Sequence, residues 1–144
     1  MQHDGPHSAI TPRTRARARH ILDHYYIGPA RNADVLEIWG YTPDHCYSPG
    51  DEVALHVSTT ADTWSLEIGR DGPSYECVLQ IDDIVGKHQE TPKDCSINGC
   101  GWQESMRFPV PDTWRPGGYL MTLRAKRGDD FSEEHHLILI RSAP

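Results

Sequence analysis

The stretch VPDTWRPGGYLMTLRA, residues 110–125, decides the fold class. Its second half places Tyr119, Met121 and Leu123 on one side and Leu120, Thr122 and Arg124 on the other, the period of a half-buried strand. Its first half is a corner. Pro116 fixes one backbone angle, and Gly117 and Gly118 permit positive φ, so the chain can turn tightly into that strand. Trp114 is predicted to cover the open end of an apolar core. Tyr119 is predicted to start the returning strand with its hydroxyl free for a backbone acceptor, as tyrosine corners do in β-sandwiches. Trp102, just after the Cys100-Gly101 turn, joins Trp114, Pro116, Gly117 and Tyr119 as a structural residue.

The same period extends along the chain on both sides of this corner. DVLEIWGY sets Leu36 and Ile38 against Glu37 and Trp39; DEVALHVSTT aligns Val53, Leu55 and Val57; TWSLEIGR aligns Trp64, Leu66 and Ile68. YECVLQI, WQESMRFPV and EEHHLILIRS complete about seven short strands. They are separated by the turn signals SPGD, TTAD, RDGPS, RPGG and KRGDD. Many short strands at this spacing predict an immunoglobulin-like antiparallel β-sandwich over residues 34–144. DDIVGKHQETPKDCSINGC resists the pattern and reads as a long loop, a class that is often functional or mobile.

Residues 1–33 read differently, as a loose tail followed by a basic helical arm. In TPRTRARARHILDHYYIGP, Thr11 fits an N-cap, Pro12 the first helical position, and Gly28-Pro29 the stop. This N-terminal α-helix can lie on its own domain or dock on a partner chain, with Arg13, Arg17, Tyr25 and Tyr26 as contacts. Residues 1–30 carry four arginines against Asp4 and Asp23, a balance of +2. That leaves −9 for the rest of a chain whose net charge is −7. The pattern is a basic arm on an acidic body.

Composition excludes several classes. The chain's 144 residues bound it to one domain with a single core, and a hydrophobic fraction of 37% includes no apolar run long enough for a transmembrane helix. The net negative charge argues against general nucleic-acid binding. MQHDGPHSAI lacks the layout of a secretory signal, so the expectation is a cytoplasmic protein with no membrane partner.

Candidates for chemistry are few. Phosphate-cradling glycine loops, nucleophile elbows and helical zinc motifs are all missing. Cys95 and Cys100 form one pair at a looser spacing than zinc ribbons use, which makes them weak metal candidates; free buried thiols are the expected state in a reducing cytosol, and a Cys95–Cys100 disulfide is the alternative outside the cell. Cys46 reads as a turn residue, and His56 should face solvent or a partner. Trp39 and Trp64, at strand positions, read as core. Exposed tryptophans would instead form a sugar-stacking platform.

IWGYTPDHCYSPGDEVALHVSTTADTWSLEIGRDG (residues 38–72) and CGWQESMRFPVPDTWRPGGYLMTLRA (residues 100–125) resemble, in order, the N-terminal β-sandwich domain of the N,N-dimethylformamidase large-subunit family. The shared features are a Gly-Tyr strand end, a Ser-Pro-Gly-Asp turn where the family has Ser-x-x-Gly-Asp/Glu, and a Val-Pro-x-x-Trp-x-x-Gly-x-Tyr corner. The resemblance covers about residues 35–141. It implies an association with hydrolysis of linear amide C–N bonds. In that family catalysis is assigned to a separate α/β domain holding one iron through two tyrosines and a glutamate. The present sequence ends at LILIRSAP, on the last sandwich strand, so no family metal ligand maps onto it.

The leading expectation is therefore a non-catalytic sandwich subunit or domain. It carries no cofactor, docks on a catalytic α/β chain that could hold iron, and can form homo-oligomers. The arm and the Asp82–Cys100 loop are the expected contact surfaces. The alternatives are a free-standing carbohydrate- or ligand-binding module, and a small metal or thiol enzyme built on Cys95, Cys100 and a histidine.

Overall fold

The computed structural model describes residues 34–95 and 99–143. The expected N-terminal helix and the docking candidates Arg13, Arg17, Tyr25 and Tyr26 lie outside those residues. Eight strands follow in order: β1 (Ile38–Tyr41), β2 (Cys46–Tyr47), β3 (Glu52–Thr59), β4 (Thr63–Asp71), β5 (Glu76–Val85), β6 (Met106–Pro109), β7 (Gly117–Arg127) and β8 (Asp130–Ile140). They form a three-stranded sheet, β1-β3-β6, and a five-stranded sheet, β2-β8-β7-β4-β5. The domain is an immunoglobulin-like β-sandwich.

Period-2 side chains fill the space between the sheets. Ile38, Val53, Leu55, Val57 and Phe108 from the smaller sheet meet Trp64, Leu66, Ile68, Tyr119, Met121, Leu123 and Ile138 from the larger, and all are buried. The segment leading into β1, which itself pairs antiparallel with β3, is tied to this core by hydroxyls. Thr60 Oγ1 donates to the Val35 carbonyl at 2.7 Å, and Thr59 Oγ1 donates to the Glu37 carbonyl at 2.7 Å. These side chains satisfy backbone groups that have no strand partner.

The structure revises four readings. Cys46 is not in a turn: it opens β2, which runs parallel to β8 with Cys46 opposite Leu139 and is the one parallel pair among the described residues. Asp82–Val85 belong to β5, so the long loop is shorter than its sequence suggested. β6 starts only at Met106, not at Trp102. Trp39 is half-buried rather than core; its indole N–H donates to Glu37 Oε2 at 2.8 Å.

The described parts of the remaining loop, residues 86–95 and 99–105, do not project. β6 pairs only with Glu52–Leu55, which leaves the Val57–Thr59 end of β3 unpaired on that side. The loop fills the gap. Thr59 N donates to the Lys87 carbonyl at 3.0 Å, Gln89 Nε2 to the Val57 carbonyl at 2.8 Å, and Ser105 N to the Leu55 carbonyl at 2.8 Å. An exposed sheet edge is thereby covered. The free edge of β5 is handled differently. Two register shifts against β4, and Asp83 at φ 57°, break its regular ladder, as bulges do on protected edges.

Candidate functional site

The corner at residues 111–119 is a locked unit. A turn closes it, with Trp114 N donating to the Pro111 carbonyl at 3.2 Å. The Trp114 indole is buried against Tyr119, centroids 5.1 Å apart and nearly parallel, and tilts over Phe108 at 6.1 Å. The Tyr119 hydroxyl donates to the Arg115 carbonyl at 2.6 Å, and burial pushes its pKa up. Gly117 sits at φ 146°, where an added Cβ would press on the Arg70 guanidinium, which donates to the Pro116 carbonyl at 2.8 Å. Gly118 needs no such conformation. The aromatic side chains of the corner serve as packing.

Trp102 is also buried, under the loop. Its backbone carbonyl holds His56 Nδ1 at 2.7 Å, its backbone N–H donates to the Tyr41 hydroxyl at 3.2 Å, and its indole donates to the Glu90 carbonyl. Tyr41 stacks on His56 at 4.9 Å. His56 is half-buried and packs in a small aromatic cluster that anchors the loop. With Trp64, Trp102 and Trp114 buried and Trp39 half-buried, no two exposed tryptophans share a face to stack a sugar ring.

Cys95 and Cys100, expected as free thiols and weak metal candidates, are joined in a disulfide across the loop, so neither sulfur is a thiolate ligand. Their Cα atoms lie 4.5 Å apart, within reach of such a bond. The free cysteines are Cys46 and the exposed Cys77. Among the described residues no three His, Cys, Asp or Glu side chains converge as a metal would require, and no helix is long and apolar enough to cross a membrane.

The outward face of the five-stranded sheet is the feature that packing does not explain. On β8, Ile138 and Ile140 point into the core, and alternation sends Leu137 and Leu139 outward, where they remain 51% and 49% exposed. Register sets Leu120 of β7 opposite Leu137, and Gly118 opposite Leu139. A side chain at Gly118 would touch both leucines, so the glycine leaves them lying flat over β7. Large apolar side chains placed side by side in this way mark interaction surfaces in soluble domains. The signal was present in the sequence: LILI is apolar on both faces of a strand, whereas a one-sided strand alternates with polar residues.

Further along the same face the character changes. Arg124 bridges Glu67 at 2.9 Å and Glu133 at 2.8 Å, and His135 Nε2 reaches Glu133 at 3.0 Å. The Tyr75 ring lies across Gly69, where no Cβ would fit, and its hydroxyl donates to Glu67 Oε2. This ring-over-glycine contact substitutes for the missing side chain. The Tyr75 bond, then Arg124, hold the Glu67 carboxyl below its usual pKa. Burial, then Glu67, push the Tyr75 phenol up to about 12. The face is thus apolar at one end and an ordered ionic ladder at the other.

No protein-family model matches the chain, and no curated protein does. Among solved structures it is similar to the sporulation control protein Spo0M from Bacillus subtilis, at 14% identity and TM-score 0.46 over 76% of this chain and 50% of that one. It is similar to the sulfur carrier protein SoxY from Chlorobium limicola f thiosulfatophilum, at 12% identity and TM-score 0.34 over 73% and 82% of the two chains. It is also similar to the PKD domain of the human VPS10 domain-containing receptor SorCS2, at 13% identity and TM-score 0.39 over 76% and 74%. The chain spans half the length of the Bacillus protein it matches.

Proposed function

We propose that this chain is a non-catalytic β-sandwich component of an N,N-dimethylformamidase-like amide hydrolase, and that its leucine face seats against the catalytic α/β chain. The observation that carries the reading is the pair Leu137 and Leu139, half exposed side by side on a sheet whose other face is a complete core. The partner surface has a stated chemistry. It is apolar where it meets the leucines and basic at its margin, because the sandwich body is strongly acidic and Glu67 and Glu133 stand on the same face. Cleavage of linear amide C–N bonds, and any iron it uses, belong to that partner. The sandwich contributes shape and cover, and the Arg13, Arg17, Tyr25, Tyr26 arm adds contacts to the same chain.

The test is purification of the native complex with and without the double substitution Leu137→Lys/Leu139→Lys. The wild-type chain brings down, in fixed ratio, a polypeptide carrying an α/β amide-hydrolase domain with the matching activity. The variant keeps its urea midpoint, since both positions are solvent-facing, and loses that polypeptide. Retention of the complex by the variant, or a lone 16.3 kDa species from wild-type cells, overturns the reading. A cytoplasmic location goes with this proposal. Alkylation at the moment of lysis then finds Cys95 and Cys100 reduced, and finding them bonded moves the chain to an oxidising compartment.

A further inference from the structure

The segment Thr42–Tyr47 leaves the three-stranded sheet at the end of β1 and enters the five-stranded sheet as β2. It is the strap that closes one side of the sandwich. Its attachments to β8 are few. Leu139 N donates to the His45 carbonyl at 2.7 Å, Arg141 N donates to the Tyr47 carbonyl at 2.8 Å, and His136 Nε2 lies 2.7 Å from Thr42 Oγ1. Within the strap, Thr42 Oγ1 gives its proton to the Asp44 carbonyl at 2.6 Å, and Asp44 N donates to the Tyr47 hydroxyl at 3.2 Å.

These bonds fix the state of His136. Because the Thr42 hydroxyl spends its only proton on Asp44, it must accept from the imidazole, so the neutral ring carries its proton on Nε2. A second proton can then go only to Nδ1. The ring that would take it is half-buried, on the core-facing register of β8, with the His45 ring 5.7 Å away on the strap. The ionisable neighbours that act on it are His45, which opposes its charging, and Glu134 on the same face of β8, which favours it. β7 presents Met121 opposite, and β1 contributes only Tyr41 as a titratable group. Asp44 is the one further charged side chain of the strap itself.

We propose that the His45–His136 pair is an acid-released latch on this strap. At neutral pH the His136 imidazole is uncharged and the strap lies on β8. When the pair takes up protons, cations at this spacing are set against each other with the His136 ring partly shielded from water. Opening the strap hydrates both. Opening also removes β2 from the sheet, so β8 becomes a bare edge next to Leu139, which β2 flanks through Cys46. The inference does not depend on what the leucine face binds.

The sign follows from burial, which lowers the His136 pKa from its usual value, His45 adding to the effect. A histidine so depressed contributes stability that is present above pH ~6.5 and is lost as pH falls towards the folded-state value. The experiment is amide hydrogen exchange read at single residues from pH 7.5 to 5 and corrected for intrinsic rates. Expected is a loss of protection at Leu139 and Arg141, about tenfold for each unit by which the His136 pKa lies below its solution value. Amides of the β4–β7 ladder should hold. NMR titration of both imidazoles gives the pKa values independently. His136→Gln, which keeps a donor for Thr42 and cannot charge, should abolish the acid step. His45→Gln, on the exposed side of the pair, should reduce it without risk to folding. Unchanged protection at Leu139 and Arg141 down to pH 5, or the same acid step in His136→Gln, overturns the proposal.

Discussion

Replacing Trp114 with alanine removes the indole that closes the core beside the β6–β7 corner. The ring is 7% exposed, stacked on Tyr119 and tilted against Phe108. A buried indole removes about 200 Å² from water, which at ~25 cal/mol per Å² is about 5 kcal/mol against an extended reference chain. Large-to-small aromatic substitutions in cores cost roughly 3–5 kcal/mol. We therefore expect Trp114→Ala to cost about 4 kcal/mol. With a urea m-value of about 2 kcal/mol/M, the midpoint drops by about 2 M. Trp114→Phe, which keeps a ring on Tyr119, should recover at least half of this. Equilibrium unfolding followed by far-UV circular dichroism measures both. An alanine midpoint within error of wild type, at an unchanged m-value, would show that the indole is exposed and that the corner does not close the core.

Gly69→Ala should expel the Tyr75 ring, because an added Cβ would lie inside it. Ultraviolet titration would then see one phenol return from about 12 towards 10. In the wild type that phenol's stabilising contribution is complete below pH ~10 and lost as pH rises through about 12. At the acid end Glu67, whose pKa is lowered by Tyr75 and Arg124, contributes stability that is present above pH ~4.3 and lost as pH falls through its folded value; Glu67→Gln should flatten that limb of the stability profile. Ser132→Ala should be neutral or stabilising by up to about 1 kcal/mol, because the wild-type hydroxyl is fully buried with no partner among the described residues; a loss larger than that would reveal one. Thiol counting on purified, denatured protein should find two reactive cysteines without reductant and four with it, and four in both would remove the Cys95–Cys100 bond.

Much of the sandwich was legible because a strand with one wet face writes its orientation in period 2. β3, β4 and β7 follow that rule, and Val53, Trp64 and Tyr119 fall inside as the alternation requires. The corner was legible for a different reason: proline, paired glycines and two aromatics each have few conformations open to them. What could not be read depends on contacts remote in sequence. β2 is two residues long and owes its existence to β8, ninety residues away, so no local pattern marks it. His56 alternates as an outward-facing residue should, and only the return of Trp102 over the sheet half-covers it. Trp39 occupies a strand position of the outward register, and its partner Glu37 is a carboxylate rather than a core side chain. The leucine face was written in LILI, but deciding which pair faces water needed the pairing of β8 with β7.

The proposal that a partner covers the Leu137–Leu139 face is tested most directly by hydroxyl-radical footprinting of the native complex against the isolated chain. The account expects strong protection of Leu137 and Leu139 in the complex, with Val85, at 81% exposure on the far edge strand, labelled equally in both. Equal labelling of the two leucines, bound and free, would contradict it.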